Sequence, residues 1–174
     1  MVKSLTNIAK IAVESYVKNN KVIDLPDNMP EKLKKKKAGA FVTIEKNGEL
    51  RACIGTYFPT KENIAKEIIS NAISAATEDY RFGPVLEEEL PFLSYTVYIL
   101  EKPEKTLSFS DLDPKKYGII VKSKTNPEKT GLLLPDIEKI NTASEQFSFA
   151  CQKADITPGN EPIEIYRFSA KKYK

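Results

Sequence analysis

Residues 39–55 read GAFVTIEKNGELRACIG, and how they pair decides the architecture. Apolar residues alternate with polar ones on both sides of Asn47-Gly48, which predicts a β-hairpin. Val42 and Ile44 share one face of the first strand, and Leu50, Ala52 and Ile54 share one face of the second. A two-residue Asn47-Gly48 turn sets Ile44 opposite Arg51 and mixes the faces. A three-residue Lys46-Asn47-Gly48 turn sets Ile44 opposite Leu50 and Val42 opposite Ala52, so this turn is expected, with Gly48 in the left-handed bulge position. Arg51, Cys53 and Gly55 then share the face away from the apolar layer, beside Phe41 and Thr43 of the partner strand. That set suits a second interface or a cleft.

Outward from the hairpin, residues 4–19 place Leu5, Ile8, Ala9, Ala12 and Tyr16 at helical spacing behind Ser4, a helix N-cap. Pro26 and Pro30 break that pattern, and the stretch to Lys37 reads as a loop with room for one helical turn. Thr60 is the expected cap of a second amphipathic helix, in which Ile64, Ile68, Ala72 and Ala75 belong to a wide apolar stripe whose small alanines allow close approach to a sheet. Residues 79–92 connect elements, and 93–101 read as a strand. Lys102-Pro103-Glu104-Lys105 marks a change of composition. Beyond it come a second hairpin around the polar loop 124–129, a helix over 142–153 and a final strand over 163–169.

Composition excludes several classes of function. The 174 residues contain no histidine, so a Ser-His-Asp triad, a Cys-His dyad and a two-His metal site are all ruled out. The two cysteines, Cys53 and Cys151, are far apart and lack CxxC spacing, which suggests neither a zinc site nor a disulfide framework and fits a reducing cytoplasm. Charged residues break the first 17 positions too often for a signal peptide or a membrane span. Net charge is +3, and lysines 34–37 with Lys171, Lys172 and Lys174 account for the excess without the interleaved aromatics of a nucleic-acid face, so nucleic acid is not the expected partner. No Gly-rich phosphate loop or Asp-rich metal loop occurs, so neither cofactor nor metal is implied.

Arginine is scarce: only Arg51, Arg81 and Arg167 among 27 basic residues. In such a chain an arginine marks a place where a planar, bidentate donor is needed, in a carboxylate pair or an anion site. Cys53 lies two residues from Arg51 on one strand face, where a guanidinium would favour the thiolate. Glu87-Glu88-Glu89 reads as a solvated helix start, and Cys151 as a buried apolar residue.

Taken together, GAFVTIEKNGELRACIGTYFPT (39–60), NAISAATEDYRF (71–82), ELPFLSYTVYIL (89–100), YGIIV (117–121) and GLLLP (131–135) resemble the AMMECR domain family, also called AmmeMemoRadiSam system protein A. The family hexapeptide LRGCIG stands here as Leu50-Arg51-Ala52-Cys53-Ile54-Gly55, with Ala52 in place of the usual glycine. The resemblance implies an α/β fold of the α+β type: two lobes, each an antiparallel sheet flanked by helices, with a cleft between them that the hexapeptide strand faces. Combined with composition, it places a large lobe at 1–102 plus 161–174 and a small lobe at 103–160. It also implies a pathway or complex shared with a Memo-like protein and a radical SAM protein.

Two functions follow as expectations. The first is a cytoplasmic binding or adaptor module that holds a protein or a modified small molecule, with Gly55, Asn71, Arg81 and Phe41 as binding residues. The alternative is a cofactor-free enzyme in which Cys53 is the nucleophile or redox thiol and Arg51 its assistant.

Overall fold

The computed structural model describes residues 4–25, 30–106 and 108–174, apart from the side chain of Lys32. Pro26, expected as a helix breaker, lies outside the described residues. The chain is a mixed α/β protein with two antiparallel sheets flanked by helices, and it divides into two compact units.

The first unit runs to Ile99 and takes in Lys171–Lys174. Its sheet has the order β2-β1-β3-β8, built from β1 (Ala40–Lys46), β2 (Glu49–Thr56), β3 (Leu93–Leu100) and β8 (Ala170–Tyr173), so β2 is an edge strand. Helix α1 (Leu5–Asn19) starts at Ser4, whose side chain accepts from the Asn7 N–H, and ends where Asn20 turns left-handed. Helix α2 (Glu31–Lys35) is the single turn foreseen in the loop. Helix α3 (Ile64–Glu78) buries Ile64, Ala65, Ile68, Ile69, Ala72, Ala75 and Ala76 against α1, β1 and β2. Fully burying each of its isoleucines contributes about 1.5–3 kcal/mol before chain entropy is charged, and the alanines allow the close approach. The cap of α3 is Asn63, not Thr60.

The hairpin differs from expectation in an instructive way. Its turn has two residues, Asn47 and Gly48, both left-handed at φ 53° and 87°, the combination that matches strand twist in a tight hairpin. The pairing is Lys46↔Glu49 and Glu45↔Leu50, then Ile44↔Ala52 and Val42↔Ile54, which leaves Arg51 as an extra, bulged residue. The bulge corrects the mixing of faces that the short turn would cause. Val42, Ile44 and Ala52 are fully buried in the core, while Leu50 is turned outward and 46% exposed. Ala52 carries its methyl into this core without a positive φ.

The second unit, Leu100–Ala170, has the sheet order β4-β7-β5-β6, formed by β4 (Glu104–Lys105), β5 (Gly118–Ser123), β6 (Thr130–Leu133) and β7 (Ile163–Phe168). Helix α4 (Ala143–Lys153), capped by Thr142 with Glu145 closing the capping box, covers β5 and β6. Gly131 makes this possible, since a Cβ there would lie 1.9 Å from the Ala150 carbonyl oxygen. Cys151 is buried among Ile119, Val121 and Leu133, and burial pushes its thiol pKa up. Residues 161–170, expected in the large lobe, instead supply a central strand of this second sheet: β7 pairs with both β4 and β5, so the chain returns to the first unit only after Ala170.

Among the described residues no helix is long and apolar enough to cross a membrane, and no group of three or more His, Cys, Asp or Glu is placed to hold a metal ion.

Candidate functional site

The hexapeptide strand β2 offers one edge to residues outside the sheet. The backbone N–H of Cys53 points away from β1 and donates to Asp79 Oδ2 at 2.9 Å, so Thr43 and Cys53 face each other as a pair without mutual backbone bonds, the arrangement in which side chains come closest. Cys53 Sγ lies 3.2 Å from Thr43 Oγ1. One step along, Gly55 faces Phe41, and a Cβ at Gly55 would sit 2.3 Å from the Phe41 ring. Gly55 is therefore the residue that lets Phe41 lie flat on the strand. Phe41, Thr43, Cys53 and Gly55 share one face, as the alternation predicts, whereas Arg51, expected with them, is the bulged residue and is turned onto Glu89.

Two arginines clamp the segment after α3 to this edge. Arg51 donates through Nε and Nη2 to the two oxygens of Glu89 at 2.9 and 2.8 Å, and through Nη1 and Nη2 to the carbonyls of Gly83 and Pro84 at 3.1 and 2.9 Å. Lys46 Nζ reaches Glu89 Oε1 at 2.9 Å. The Arg51 hydrogen bonds, aided by the Leu86 N–H and Lys46, hold the Glu89 carboxyl at about 2 against the opposing effect of burial. Arg81 forms the second clamp, donating through Nε and Nη2 to Asp79 at 2.9 and 2.7 Å, with Nη2 also 3.4 Å from the Cys53 carbonyl oxygen. These bonds and the Cys53 N–H hold Asp79 at about 2. Asp79 and Arg81 thus satisfy the donor and the acceptor of Cys53, much as a neighbouring strand would.

This geometry redistributes the roles expected from sequence. The guanidinium beside Cys53 belongs to Arg81, whose electrostatic partners include the thiol; Arg51 is turned onto Glu89. Asn71 is not brought to the face at all. It is buried in α3, where its Nδ2 donates to the Ala40 carbonyl at 2.9 Å and to Thr56 Oγ1 at 3.2 Å. Its neighbour Glu67, fully buried, accepts from the Thr56 and Thr60 hydroxyls and from the N–H groups of Thr60 and Lys61. Burial opposes ionisation of Glu67, yet these four donors bring its pKa below the ordinary value. Glu67 thereby fixes the segment that follows the hexapeptide.

Asp79, Glu89 and Glu67 were all missed by sequence reasoning. Glu89, read with Glu87 and Glu88 as solvated, is only 7% exposed. The available signal was the scarcity of arginine, which demands carboxylate partners somewhere, and Asp79 stands two residues before one of them.

The chain compares closely with known proteins over nearly all its length. A protein of Thermotoga maritima is 50% identical over 93% of this chain and 92% of its own. One of Methanothermobacter thermautotrophicus is 36% identical over 97% and 91%. In a 42% identical protein of Clostridium acetobutylicum the match covers 96% of this chain but only 35% of the relative. Among solved structures, the uncharacterised protein PH0010 of Pyrococcus horikoshii superimposes with a TM-score of 0.88 at 31% identity, covering 97% of this chain and 88% of that one. The AMMECR1 family model matches residues 6–173, a span that holds both sheets and both arginine clamps, and the chain belongs to that family.

Proposed function

We propose that this chain is a cytoplasmic binding module, which holds a protein or a modified small molecule on the strand face of Phe41, Thr43, Cys53 and Gly55 and works with Memo-like and radical SAM proteins. The observation that carries this reading is the fate of Arg51. Its guanidinium makes four internal hydrogen bonds, so it shapes the surface rather than meeting a substrate anion. Phe41, Cys53 and the exposed Arg81 then offer apolar, thiol and cationic groups side by side, a combination suited to recognition. The test is calorimetric titration against the purified Memo-like and radical SAM proteins of the same organism. A saturable complex that survives Cys53→Ser and weakens about tenfold or more with Arg81→Glu is expected. Absence of any complex, together with a chemical turnover that Cys53→Ser abolishes, overturns the reading.

One observation favours a second reading, an enzyme with a Cys53 nucleophile or redox thiol: the Arg81 guanidinium stands beside that thiol and stabilises its anion. Alkylation by iodoacetamide as a function of pH separates the two. The enzyme reading requires a Cys53 midpoint below the free-thiol value of about 8.5 that rises on Arg81→Ala, with buried Cys151 protected. A Cys53 that stays inert until denaturation rules it out.

A further inference from the structure

The Arg51–Glu89 clamp has a second consequence, on the flank of the first unit rather than on the Cys53 face. It floors an open groove of about 790 Å³ lined by Lys46, Arg51, Phe82, Leu86, Glu88 and Phe92. Three large apolar side chains in this one groove are left in contact with water: Phe82 at 39%, Leu86 at 53% and Phe92 at 56%. Single exposed apolar residues are ordinary, but several converging on one concavity mark an interaction surface.

The groove is also rigid. Glu89 is bound by Arg51 and Lys46 and accepts from the Leu86 N–H, Arg51 grips the Gly83 and Pro84 carbonyls, and the Asn47 N–H donates to the Phe92 carbonyl at 3.2 Å. The walls that carry Leu86 and Phe92 are therefore tied to the hairpin before any partner arrives, which lowers the entropy cost of binding.

Charge identifies the partner. Both cations of the groove, Lys46 and Arg51, are paired with the same carboxylate, Glu89. Glu87 and Glu88 on the turn between Leu86 and Glu89, and Glu49 beside the hairpin turn, are exposed and in no ion pair among the described residues. Within the lining the two cations meet two carboxylates, Glu88 and Glu89, and the excess negative charge comes from Glu49 and Glu87 beside it, since Arg81, 5.2 Å from the Phe82 ring centre, is paired with Asp79. Such a surface repels phosphate-bearing partners and attracts cationic ones.

We propose that this groove docks a basic segment of a partner protein, seating its apolar side chains among Phe82, Leu86 and Phe92 with flanking Lys or Arg beside Glu49, Glu87 and Glu88. The inference does not depend on the reading of the Cys53 face, and it names a different surface.

The test is fluorescence anisotropy of the full chain with three labelled synthetic hexapeptides. One alternates lysine with leucine and phenylalanine, the second replaces its lysines by glutamate, and the third replaces its apolar residues by serine. Saturable one-to-one binding of the first alone is expected. It should weaken about tenfold or more with Phe92→Ser, by a similar factor with the double variant Glu87→Lys, Glu88→Lys, and progressively with added salt. Both variants change exposed side chains, and unchanged thermal unfolding verifies that they are folded. The proposal is overturned if the glutamate peptide binds as tightly, if neither variant weakens binding, or if no saturable binding to the wild-type chain is seen. Tighter binding of a single-stranded oligonucleotide or an anionic vesicle in the same assay, weakened by Phe92→Ser, also overturns it.

Discussion

The two arginine clamps on strand β2 use the same chemistry in different surroundings. Arg51 and Glu89 are both largely buried, with side chains 13% and 9% exposed. Arg81 is 44% exposed although its partner Asp79 is 3% exposed. An ion pair removed from water is costly to form and more costly to break, because the surviving charge is left without solvent. A half-exposed guanidinium can rehydrate, so its loss mainly strands the carboxylate. The first clamp is therefore a fixed part of the fold, and the second is a surface group with a structural duty.

The largest expected effect tests that distinction. Arg51→Ala should destabilise the protein by about 3–5 kcal/mol, nearer the lower end because Lys46 and the Leu86 N–H still reach Glu89. Arg51→Lys should fall in between, since an ammonium cannot reproduce the fork that joins Glu89 to two carbonyls. Both are read from urea unfolding at neutral pH. A loss below about 1 kcal/mol, the range of exposed pairs, would remove the contrast between the clamps.

Acid sharpens it. Asp79 and Glu89 are each held at about 2, below the ordinary carboxyl values of about 4. Between those limits the unfolded chain binds more protons than the folded one, so stability is fully present above about pH 5 and is lost as pH falls toward 2. Urea midpoints measured from pH 6 to pH 3 should decline accordingly. Arg81→Ala lets Asp79 return toward its ordinary value and should flatten the decline in part, leaving the share of Glu89. At neutral pH the same variant should cost about 1–3 kcal/mol, less than Arg51→Ala. An unchanged pH slope would mean that Arg81 does not govern Asp79.

The contrast also explains which features the sequence revealed. Helices α1 and α4 carry their own caps, Ser4 and Thr142, and a one-sided apolar stripe, so local chemistry suffices to place them. The shared face of Phe41, Thr43, Cys53 and Gly55 follows from strand alternation alone. Glu89 differs from Glu87 and Glu88 only in what lies 38 residues earlier in the chain, a tertiary fact without a local signature. The membership of β7 in the second sheet is of the same kind, because residues 163–169 look equally apolar whichever sheet receives them.

The bulge at Arg51 was hidden for a different reason, and it yields the smallest predicted effect. Alternation counts residues in twos, so a single inserted residue cannot be seen until the partner strand is in place. The alternation read from sequence puts Leu50 on the core face, where truncation would cost about 2–5 kcal/mol. The bulged pairing turns Leu50 into solvent, where substitution changes stability by at most about 0.5 kcal/mol. Leu50→Ser should therefore leave the urea midpoint nearly unchanged, while Ala52→Leu, two positions along, should cost about 1–3 kcal/mol by overfilling the layer between Ile44 and α3. A loss of about 2 kcal/mol or more with Leu50→Ser would mean that β2 pairs without the bulge, with Leu50 opposite Ile44 across a three-residue turn. Arg51 would then lie opposite Thr43 and could not reach Glu89 as it does, so one inexpensive pair of variants checks the geometric basis of the buried clamp.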